Sequence, residues 1–362
     1  MTSKIVKLGQ MTLAKNERNI QLKKHELIDL FWECTLSCNA ACKHCGSSAE
    51  KRKYEGELTT EEIKNAFCQI AHDMDARKIM VNVTGGEPLM RHDLYEVMEY
   101  ATKELGFHWG MTSNGMLLTK ENIEKLKKAN METISISIDG LSQTHDSFRG
   151  VPGSYERILR NITNLKNANF LKHIQVTTVV NKSNIQELEE LYEVMKSLSL
   201  DSWRIATMDP IGRANENSEL LLNGKEMKQV LDFVVTANQK GALRVDYGCP
   251  GFLGINYEMT ARPWPFNCRT GINVASILYN GDLFVCPNVP RIPRLIQGNI
   301  RTDNFANVWN HKYQEFRSKE RTKCEMCNKC TWWDYCLGGA FHTWNFEDNK
   351  QNKCPYQMMK EV

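Results

Sequence analysis

The sequence lacks any apolar run of the roughly 20 residues that a membrane-spanning helix needs. It also lacks a secretory signal, because residues 1–21 contain several lysines and no apolar run of seven or more residues. These two absences predict a protein of the cytoplasm that does not cross a membrane.

A strong charge of one sign is also missing. The chain has 46 Lys and Arg against 43 Asp and Glu, a net charge of +3, and its basic residues are scattered instead of forming one stripe. Nucleic acid is therefore not an expected partner. Internal repeats and low-complexity tracts are absent too, and 41% hydrophobic residues can build a sizeable core over 362 residues. One large and one small domain fit this length best.

Cysteine, by contrast, is abundant, with 13 residues. Thiols stay reduced in the cytoplasm, so this number points to metal or redox chemistry and away from disulfides. Cys38, Cys42 and Cys45 form a C-x3-C-x2-C cluster just after the strand-like run 27–32. A structural zinc site needs four protein ligands, whereas three close cysteines leave one coordination position open to a small molecule. Zinc binding and chance clustering are the alternatives.

This cluster resembles the signature of the radical SAM superfamily. The resemblance implies that Cys38, Cys42 and Cys45 are the catalytic ligands of a [4Fe-4S] cluster, whose fourth iron binds S-adenosylmethionine (SAM) through its amino and carboxylate groups.

Short β-rich runs alternate with amphipathic helical patterns between about residues 27 and 206. A capping box at 59–62 marks the start of the first long helix, whose buried face holds Ile63, Phe67 and Ile70. The predicted strands are 30–33, 79–83, 107–111, 133–138, 174–180 and 203–207, and the predicted helices are 60–74, 93–104, 120–128, 155–166 and 185–198.

Such alternation predicts an α/β fold with a parallel sheet. Six βα units suit an open partial (β/α)6 TIM-like barrel with a lateral mouth, although a full barrel with missed strands is the alternative. After Gly212 one helix, about 225–239, precedes a small irregular cysteine-rich iron–sulfur domain. We expect an N-terminal extension at 1–26, the barrel at 27–215, a linker helix region at 216–245 and the auxiliary cluster domain at 246–362.

Candidate SAM-binding residues follow successive predicted strands. Gly85, Gly86, Glu87 and Pro88 end strand two and resemble the GGEP motif that binds the amino group of SAM, although a Gly-Gly turn alone also fits a tight βα connection. The resemblance further implies SAM contacts or pocket roles for residues at the ends of strands three to five, namely Ser113, Asn114, Ser137, Asp139 and Asn181. As isolated features these are ordinary turn residues.

The segment 208–214 resembles the P-x-GRA sequence that follows strand six in relatives. Its Arg213 either meets a carboxylate or is solvated. His44 and His342 could ligate a metal or donate a hydrogen bond, but the thiols already fill the expected metal sites.

The C-terminal cysteines resemble the SPASM extension, which binds two auxiliary iron–sulfur clusters, most simply of the [4Fe-4S] type. One quartet follows from the spacing C-x2-C-x5-C and a later cysteine, and a pair brackets Gly281; the quartet is Cys327, Cys330, Cys336 and Cys354, and the pair is Cys268 and Cys286. A zinc knuckle is the alternative for the quartet.

One position breaks the SPASM pattern, because Ala340 stands where a further cysteine is usual. We expect Cys249 to complete the first auxiliary site with Cys268 and Cys286, and Cys324 to be its candidate fourth ligand. Cys68 is expected in the core. Cys34 is either a core thiol or a hydrogen donor near the pocket, with the core preferred.

The resemblance implies an enzyme that reductively cleaves SAM to a 5′-deoxyadenosyl radical and abstracts hydrogen from a substrate. A peptide or protein substrate, modified by crosslinking, epimerisation or oxidation, is the first choice, because SPASM relatives mostly act on these; a branch of gut-bacterial enzymes associated with lipoprotein systems is also similar. The alternatives are a small molecule of sugar-nucleotide or tetrapyrrole type, and a non-catalytic metal-binding module.

A one-electron donor of the flavodoxin or ferredoxin kind is the other expected partner. The 26 residues before the first strand are too few for the small winged peptide-recognition domain of many peptide-modifying relatives. This weakens the expectation of a leader-dependent substrate.

Overall fold

The structure is a computed structural model that describes residues 4–248, 251–318 and 324–360. Its main feature is a ten-stranded sheet with the order β10-β9-β8-β1-β2-β3-β4-β5-β6-β7. A separate pair, β11 and β12, lies near the C-terminus. The strands are β1 Asp29–Thr35, β2 Met80–Gly85, β3 His108–Ser113, β4 Thr133–Ser137, β5 His173–Val180, β6 Ser202–Thr207, β7 Val245–Tyr247, β8 Val274–Ile277, β9 Asp282–Phe284, β10 Gly298–Asn299, β11 Trp344–Asn345 and β12 Lys350–Gln351.

All six predicted strands are confirmed as β1 to β6, and each pairs in parallel with the next. Side chains alternate along them, as the two faces of a strand require. The outer face is buried against helices: Trp32 on β1 packs edge-on against Phe67, and Trp203 on β6 packs against Phe233. The inner face is only partly buried and carries polar groups, including Ser135.

The helices that follow the strands also lie where the periodicity predicts them. The α-helices are α1 Lys4–Lys24, α2 Thr60–Asp73, α3 Leu94–Lys103, α4 Lys120–Lys128, α5 Ser142–Arg149, α6 Ser154–Ala168, α7 Leu188–Ser197, α8 Gly224–Lys240, α9 Phe305–His311, α10 Gln314–Arg317, α11 Glu325–Asn328, α12 Trp333–Cys336 and α13 Pro355–Lys360. Short 3-10 turns connect several of them.

Helix α2 begins with the predicted capping box. The Thr59 hydroxyl accepts a hydrogen bond from the Glu62 backbone, and the Glu62 carboxylate accepts one from the Thr59 backbone. Ile63, Phe67 and Ile70 are fully buried, as expected. Cys68 is exposed, so its predicted core position is wrong. One helical residue turns the side chain by about 100°, which takes Cys68 off the face of its neighbour Phe67.

The sheet is wider than the six strands that the sequence indicates. Strand β7 continues it beyond β6, and β8 lies on the other side of β1, parallel to it, with Ile277 opposite Trp32. Strands β9 and β10 then add antiparallel pairs. Strands of two to four residues carry too little alternation to be recognised in a cysteine-rich segment. Because β7 and β10 stand at opposite ends of the order, the described sheet stays open, which confirms the open-barrel expectation.

The segment before β1 forms helix α1, which packs against the C-terminal region. The Lys7 ammonium donates to the carbonyls of Ile255 and Asn256, and the Arg18 guanidinium donates to those of Asp334 and Tyr335. No helix of the described residues is long and apolar enough to cross a membrane.

A buried arginine fastens the start of the first loop. Arg91 donates to the carbonyl of Cys34 at 2.8 Å, to that of Leu58 at 2.8 Å and to the Asp93 carboxylate at 2.9 Å. Its guanidinium also lies 5.0 Å from the ring centre of Trp32. Arg91 therefore joins β1, the loop before α2 and the segment after β2 through one buried charge.

Replacing Arg91 by methionine should lower the free energy of unfolding by about 3–5 kcal/mol, because Asp93 would remain as a buried charge without its partner. Urea unfolding of the reduced, cofactor-free protein measures this change. The matched control is Arg77→Met, which breaks an exposed pair with Asp75 and should leave stability unchanged. Equal stability of the two variants would contradict the role given to Arg91.

Candidate SAM and iron–sulfur sites

A cavity of about 350 Å³ opens at the carboxyl ends of the parallel strands. This is the edge at which barrels of parallel strands carry their chemistry. Loops after β1 to β6 line it together with a loop from the cysteine-rich region; the wall includes Cys38, Cys42, Cys45, His44, Gly85, Gly86, Ser113, Asn114, Ser137, Arg149, Asp209, Arg213, Pro287 and Asn288. The cavity therefore brings together cysteines and candidate SAM-binding residues that are far apart in the sequence.

Neighbouring segments hold the cysteine loop in place. The Cys38 amide donates to the Glu50 carbonyl at 2.9 Å, and the Ala41 amide donates to the Arg149 carbonyl at 3.0 Å. Arg213 donates to the carbonyls of Cys42 at 2.9 Å and Ala49 at 2.7 Å. Arg213 thus binds loop carbonyls, a role that neither the carboxylate-binding nor the solvated alternative anticipates.

The three loop cysteines face the cavity as thiols. Burial raises the pKa of Cys38 to about 11 and also raises the pKa of Cys42. Bound iron would displace these protons, since metals bind the thiolate form. Among the described residues no three His, Cys, Asp or Glu side chains are gathered tightly enough for a single metal ion. A [4Fe-4S] cluster bonds each cysteine to a different iron and so suits three more widely spaced thiols.

Gly85 and Gly86 let the end of β2 pass directly against the cysteine loop. A Cβ on Gly85, whose φ is +143°, would lie 2.2 Å from the Thr35 carbonyl oxygen, and one on Gly86 would lie 2.3 Å from that of Ser37. The amides of Gly86 and Glu87 donate to these same two carbonyls. The glycine pair is thus required by backbone packing as well as placed in the cavity wall.

Glu87 lies behind the wall and positions two residues that form it. Its fully buried carboxylate accepts hydrogen bonds from the Ser113 hydroxyl at 2.8 Å and the Asn114 amide at 2.8 Å. Burial raises the pKa of Glu87, against the opposing effect of these hydrogen bonds. Pro88 begins the next 3-10 turn and is buried outside the wall. Of this motif, then, the two glycines line the cavity and Glu87 supports it.

Asp139 is also a supporting residue. Its buried carboxylate pairs with Arg149 at 2.6 Å and accepts the Val179 amide at 2.7 Å. Burial raises the pKa of Asp139, but Arg149, the neighbouring His44 and His145 and the Val179 amide together lower that pKa overall. Arg149, which the sequence did not single out, is the partner that reaches the cavity. Asn181 is buried and binds the Val179 carbonyl, so it organises the turn after β5.

His44 contributes a neutral ring to the cavity wall. It stacks on Phe148 with ring centres 4.7 Å apart, and its Nε2 lies 4.0 Å from Asp139. Burial lowers the pKa of His44 to about 4, against the smaller opposing effect of Asp139. The imidazole is therefore uncharged at neutral pH.

A second paired carboxylate, Asp209, lies in the cavity wall and joins it to the C-terminal segment. Lys353 donates to Asp209 at 2.6 Å, and the Nε2 of His342 lies 3.2 Å from its other oxygen. Burial would raise the pKa of Asp209, but these two groups lower it to about 2. Lys353 directly precedes Cys354, so this contact connects the end of β6 with a predicted cluster ligand.

The predicted C-terminal cysteines fall into two places. Cys327, Cys330, Cys336 and Cys354 line one small cavity among the short helices α11 to α13. Cys268 and Cys286 are neighbours elsewhere, and Cys286 directly precedes Pro287 and Asn288 of the main cavity wall. Cys249 lies outside the described residues. Cys324 lies beside Cys327, and Cys34 is fully buried, as the core alternative expects.

Comparisons with known proteins agree with this arrangement. Residues 32–195 match the radical SAM superfamily, and residues 268–331 match SPASM, an iron–sulfur cluster-binding domain. The chain is 30% identical over 355 residues to an AdoMet-dependent heme synthase of Oleidesulfovibrio alaskensis, covering 91% of this chain and 87% of that protein. It is 31% identical over 325 residues to the mycofactocin maturase MftC of Mycolicibacterium smegmatis, covering 86% of this chain and 78% of that one.

The fold is similar to that of Streptococcus suis SuiB bound to S-adenosylmethionine, with a TM-score of 0.69, 20% identity and coverage of 89% of this chain and 76% of that one. SuiB bound to its precursor peptide SuiA gives a TM-score of 0.68 at 20% identity, covering 90% and 75% of the two chains.

Family and site agree on the cofactors. The radical SAM domain binds a [4Fe-4S] cluster and SAM, and the SPASM domain binds iron–sulfur. Three cavity-facing thiols from one loop fit the first cluster, and the C-terminal quartet around one small cavity fits a second. The chain belongs to the radical SAM superfamily and carries a C-terminal SPASM domain.

Proposed function

We propose that this chain cleaves SAM at the Cys38, Cys42 and Cys45 cluster and uses the resulting radical to abstract hydrogen from a peptide or protein. The observation that carries the proposal is the single cavity onto which three thiols, the glycine pair and the polar ends of β3 and β4 converge. When bound, the cluster supplies the electron that splits SAM into methionine and a 5′-deoxyadenosyl radical, which takes a hydrogen atom from the substrate.

The protein's own residues bind SAM and orient it in the cavity. Backbone groups at Gly85 and Gly86 receive the amino group of SAM, and Ser113, Asn114 and Ser137 offer hydroxyl and amide groups to its ribose and carboxylate. Glu87 fixes the Ser113 side chain and the Asn114 backbone, and Arg149 and Arg213 fix the cysteine loop. A flavodoxin- or ferredoxin-like donor supplies the electron, and the C-terminal cysteines hold two auxiliary clusters. The free cysteines fit a reducing compartment such as the cytoplasm.

A peptide is favoured by the inner face of the open sheet. That face is partly exposed and carries a chain of polar groups, in which Gln175 donates to Ser135, and Ser135 bonds Thr177 at 2.8 Å. Such groups can pair with the amides and carbonyls of an extended peptide. The likeness to mycofactocin maturase and the fold shared with peptide-bound SuiB support the same class.

A tetrapyrrole is the second candidate, because the likeness to AdoMet-dependent heme synthase extends over 91% of this chain. Porphyrin carboxylates need cationic partners. Three cations in or beside the cavity already pair with carboxylates, and Arg213 in the wall donates to loop carbonyls; the pairs are Arg149 with Asp139, Lys353 with Asp209, and Arg291 with Glu33. These pairs leave less positive charge for a polyanionic substrate and favour the peptide.

The substrate class is tested by giving the anaerobically reconstituted enzyme SAM and dithionite with either a library of ribosomally encoded peptides or an iron coproporphyrin. The proposal expects 5′-deoxyadenosine formation to rise with particular peptides, together with a change in peptide mass. Conversion of the porphyrin with no peptide change would establish the second candidate instead.

The triple variant Cys38/Cys42/Cys45→Ala should lose about four irons and all 5′-deoxyadenosine formation, because it removes every protein ligand of the first cluster. Iron analysis and product chromatography measure both. Cys68→Ala is the control, since this exposed cysteine belongs to none of the cysteine groups, and should retain both properties. SAM cleavage by the triple variant would contradict the assignment.

Gly86→Ala should weaken SAM binding by at least about tenfold, since a methyl group would push the end of β2 away from the Ser37 carbonyl and shift the cavity wall. Equilibrium binding of SAM to the reconstituted protein provides the measurement. Gly9→Ala, at a position where a Cβ meets no atom within 4 Å, should bind SAM normally. Unchanged affinity in Gly86→Ala would show that the glycine packing does not matter for the site.

A further inference from the structure

Cys324 and Cys327 form a close pair of thiols at the start of α11. Cys324 is the residue that caps this helix, and Cys327 follows one turn later. The Asn328 amide donates to the Cys324 carbonyl at 3.0 Å, which closes the turn and brings both side chains to the same side. The Cys324 thiol donates to the Cys327 sulfur at a separation of 3.5 Å.

The two thiols line neighbouring hollows. Cys327 is buried and lines the small cavity that also holds Cys330, Cys336 and Cys354. Cys324 lines a more open hollow, and Met326 and Gln351 contribute to the walls of both. With Cys324 in contact with Cys327, five thiols lie together where a [4Fe-4S] cluster needs four.

The sequence around the pair has the spacing of a ferredoxin-type run. Cys324, Cys327 and Cys330 read C-x2-C-x2-C, a spacing that lets all three thiols reach one cluster. The expectation that Cys324 completes the site of Cys268 and Cys286 has no support from this geometry, because the nearest described sulfur partner of Cys324 belongs to the other group.

We propose that Cys324 is a spare ligand of the second auxiliary cluster. Whenever Cys327 is displaced, Cys324 binds the iron atom that Cys327 otherwise ligates. In the exchange the iron–sulfur bond to Cys327 breaks and one to Cys324 forms. Cys324 gives up its thiol proton and Cys327 takes one up, so no electron is gained or lost. This inference rests on the auxiliary clusters of the proposed function.

The two auxiliary sites then use different cysteines. If Cys324 serves the quartet, the first auxiliary site draws on Cys268, Cys286 and Cys249. Cys286 directly precedes two residues of the main cavity wall, so that site lies beside the substrate cavity. The spare ligand instead belongs to the quartet, and its own thiol lines the more open hollow beside that site.

The test counts iron and records the EPR spectrum of the reduced full-length protein in four variants. Cys324→Ala and Cys327→Ala should each keep the iron content of the parent, and Cys327→Ala should show shifted g-values because one ligand has changed. The double variant should lose about four irons. Cys330→Ala is the matched control, since it leaves the thiol pair intact and removes a different ligand, and it should also lose about four irons.

Loss of about four irons from Cys327→Ala alone would overturn the proposal, and so would retention of iron by the double variant or by Cys330→Ala. Circular dichroism of each variant separates ligand loss from unfolding, and a variant that unfolds is replaced by its Ser counterpart. Failure of the proposed function has a different signature: the parent protein would form no 5′-deoxyadenosine. Zinc in place of iron at the quartet would overturn the proposal as well.

Discussion

The constraint on which the rest of the structure depends is the direction of the strands. Because β1 to β7 run in parallel, all their carboxyl ends reach the same edge of the sheet, and the loops that follow them must meet there. The cysteine loop follows β1 and the glycine pair follows β2, so neighbouring strands place them side by side. A cavity that joins residues far apart in the chain is the consequence of this single rule.

Charged groups around the cavity are arranged in pairs that hold the wall. Asp139 neutralises the Arg149 guanidinium. The backbone carbonyl of Arg149 in turn accepts a hydrogen bond from an amide of the cysteine loop. Asp209 likewise neutralises Lys353, the residue directly before Cys354. Burying these charges would be costly without their partners. The ion pairs therefore hold the cavity wall, and the pair of Asp209 with Lys353 also joins that wall to the C-terminal cysteines.

Sequence patterns predicted the parts that depend on local regularity. Alternation located β1 to β6, and cysteine spacing grouped the three cavity-lining cysteines and the four cysteines of the quartet as the structure does. Long-range pairing could not be predicted in this way: the resemblance implies a SAM contact for Glu87 and a SAM contact or a pocket role for Asp139, and the structure places both carboxylates behind the wall. Their partners come from other elements, and 144 residues separate Lys353 from Asp209. Strand β8 was missed because four residues show no clear period.

The central claim is that three cysteines leave one iron of the first cluster open to SAM. The most direct measurement is electron–nuclear double resonance on the reduced protein with SAM labelled by ¹⁷O in its carboxylate and ¹⁵N in its amino group. The account predicts hyperfine coupling of both labels to one cluster, and its loss when Cys38, Cys42 and Cys45 are replaced. Absence of coupling in the intact, cluster-loaded protein would contradict it.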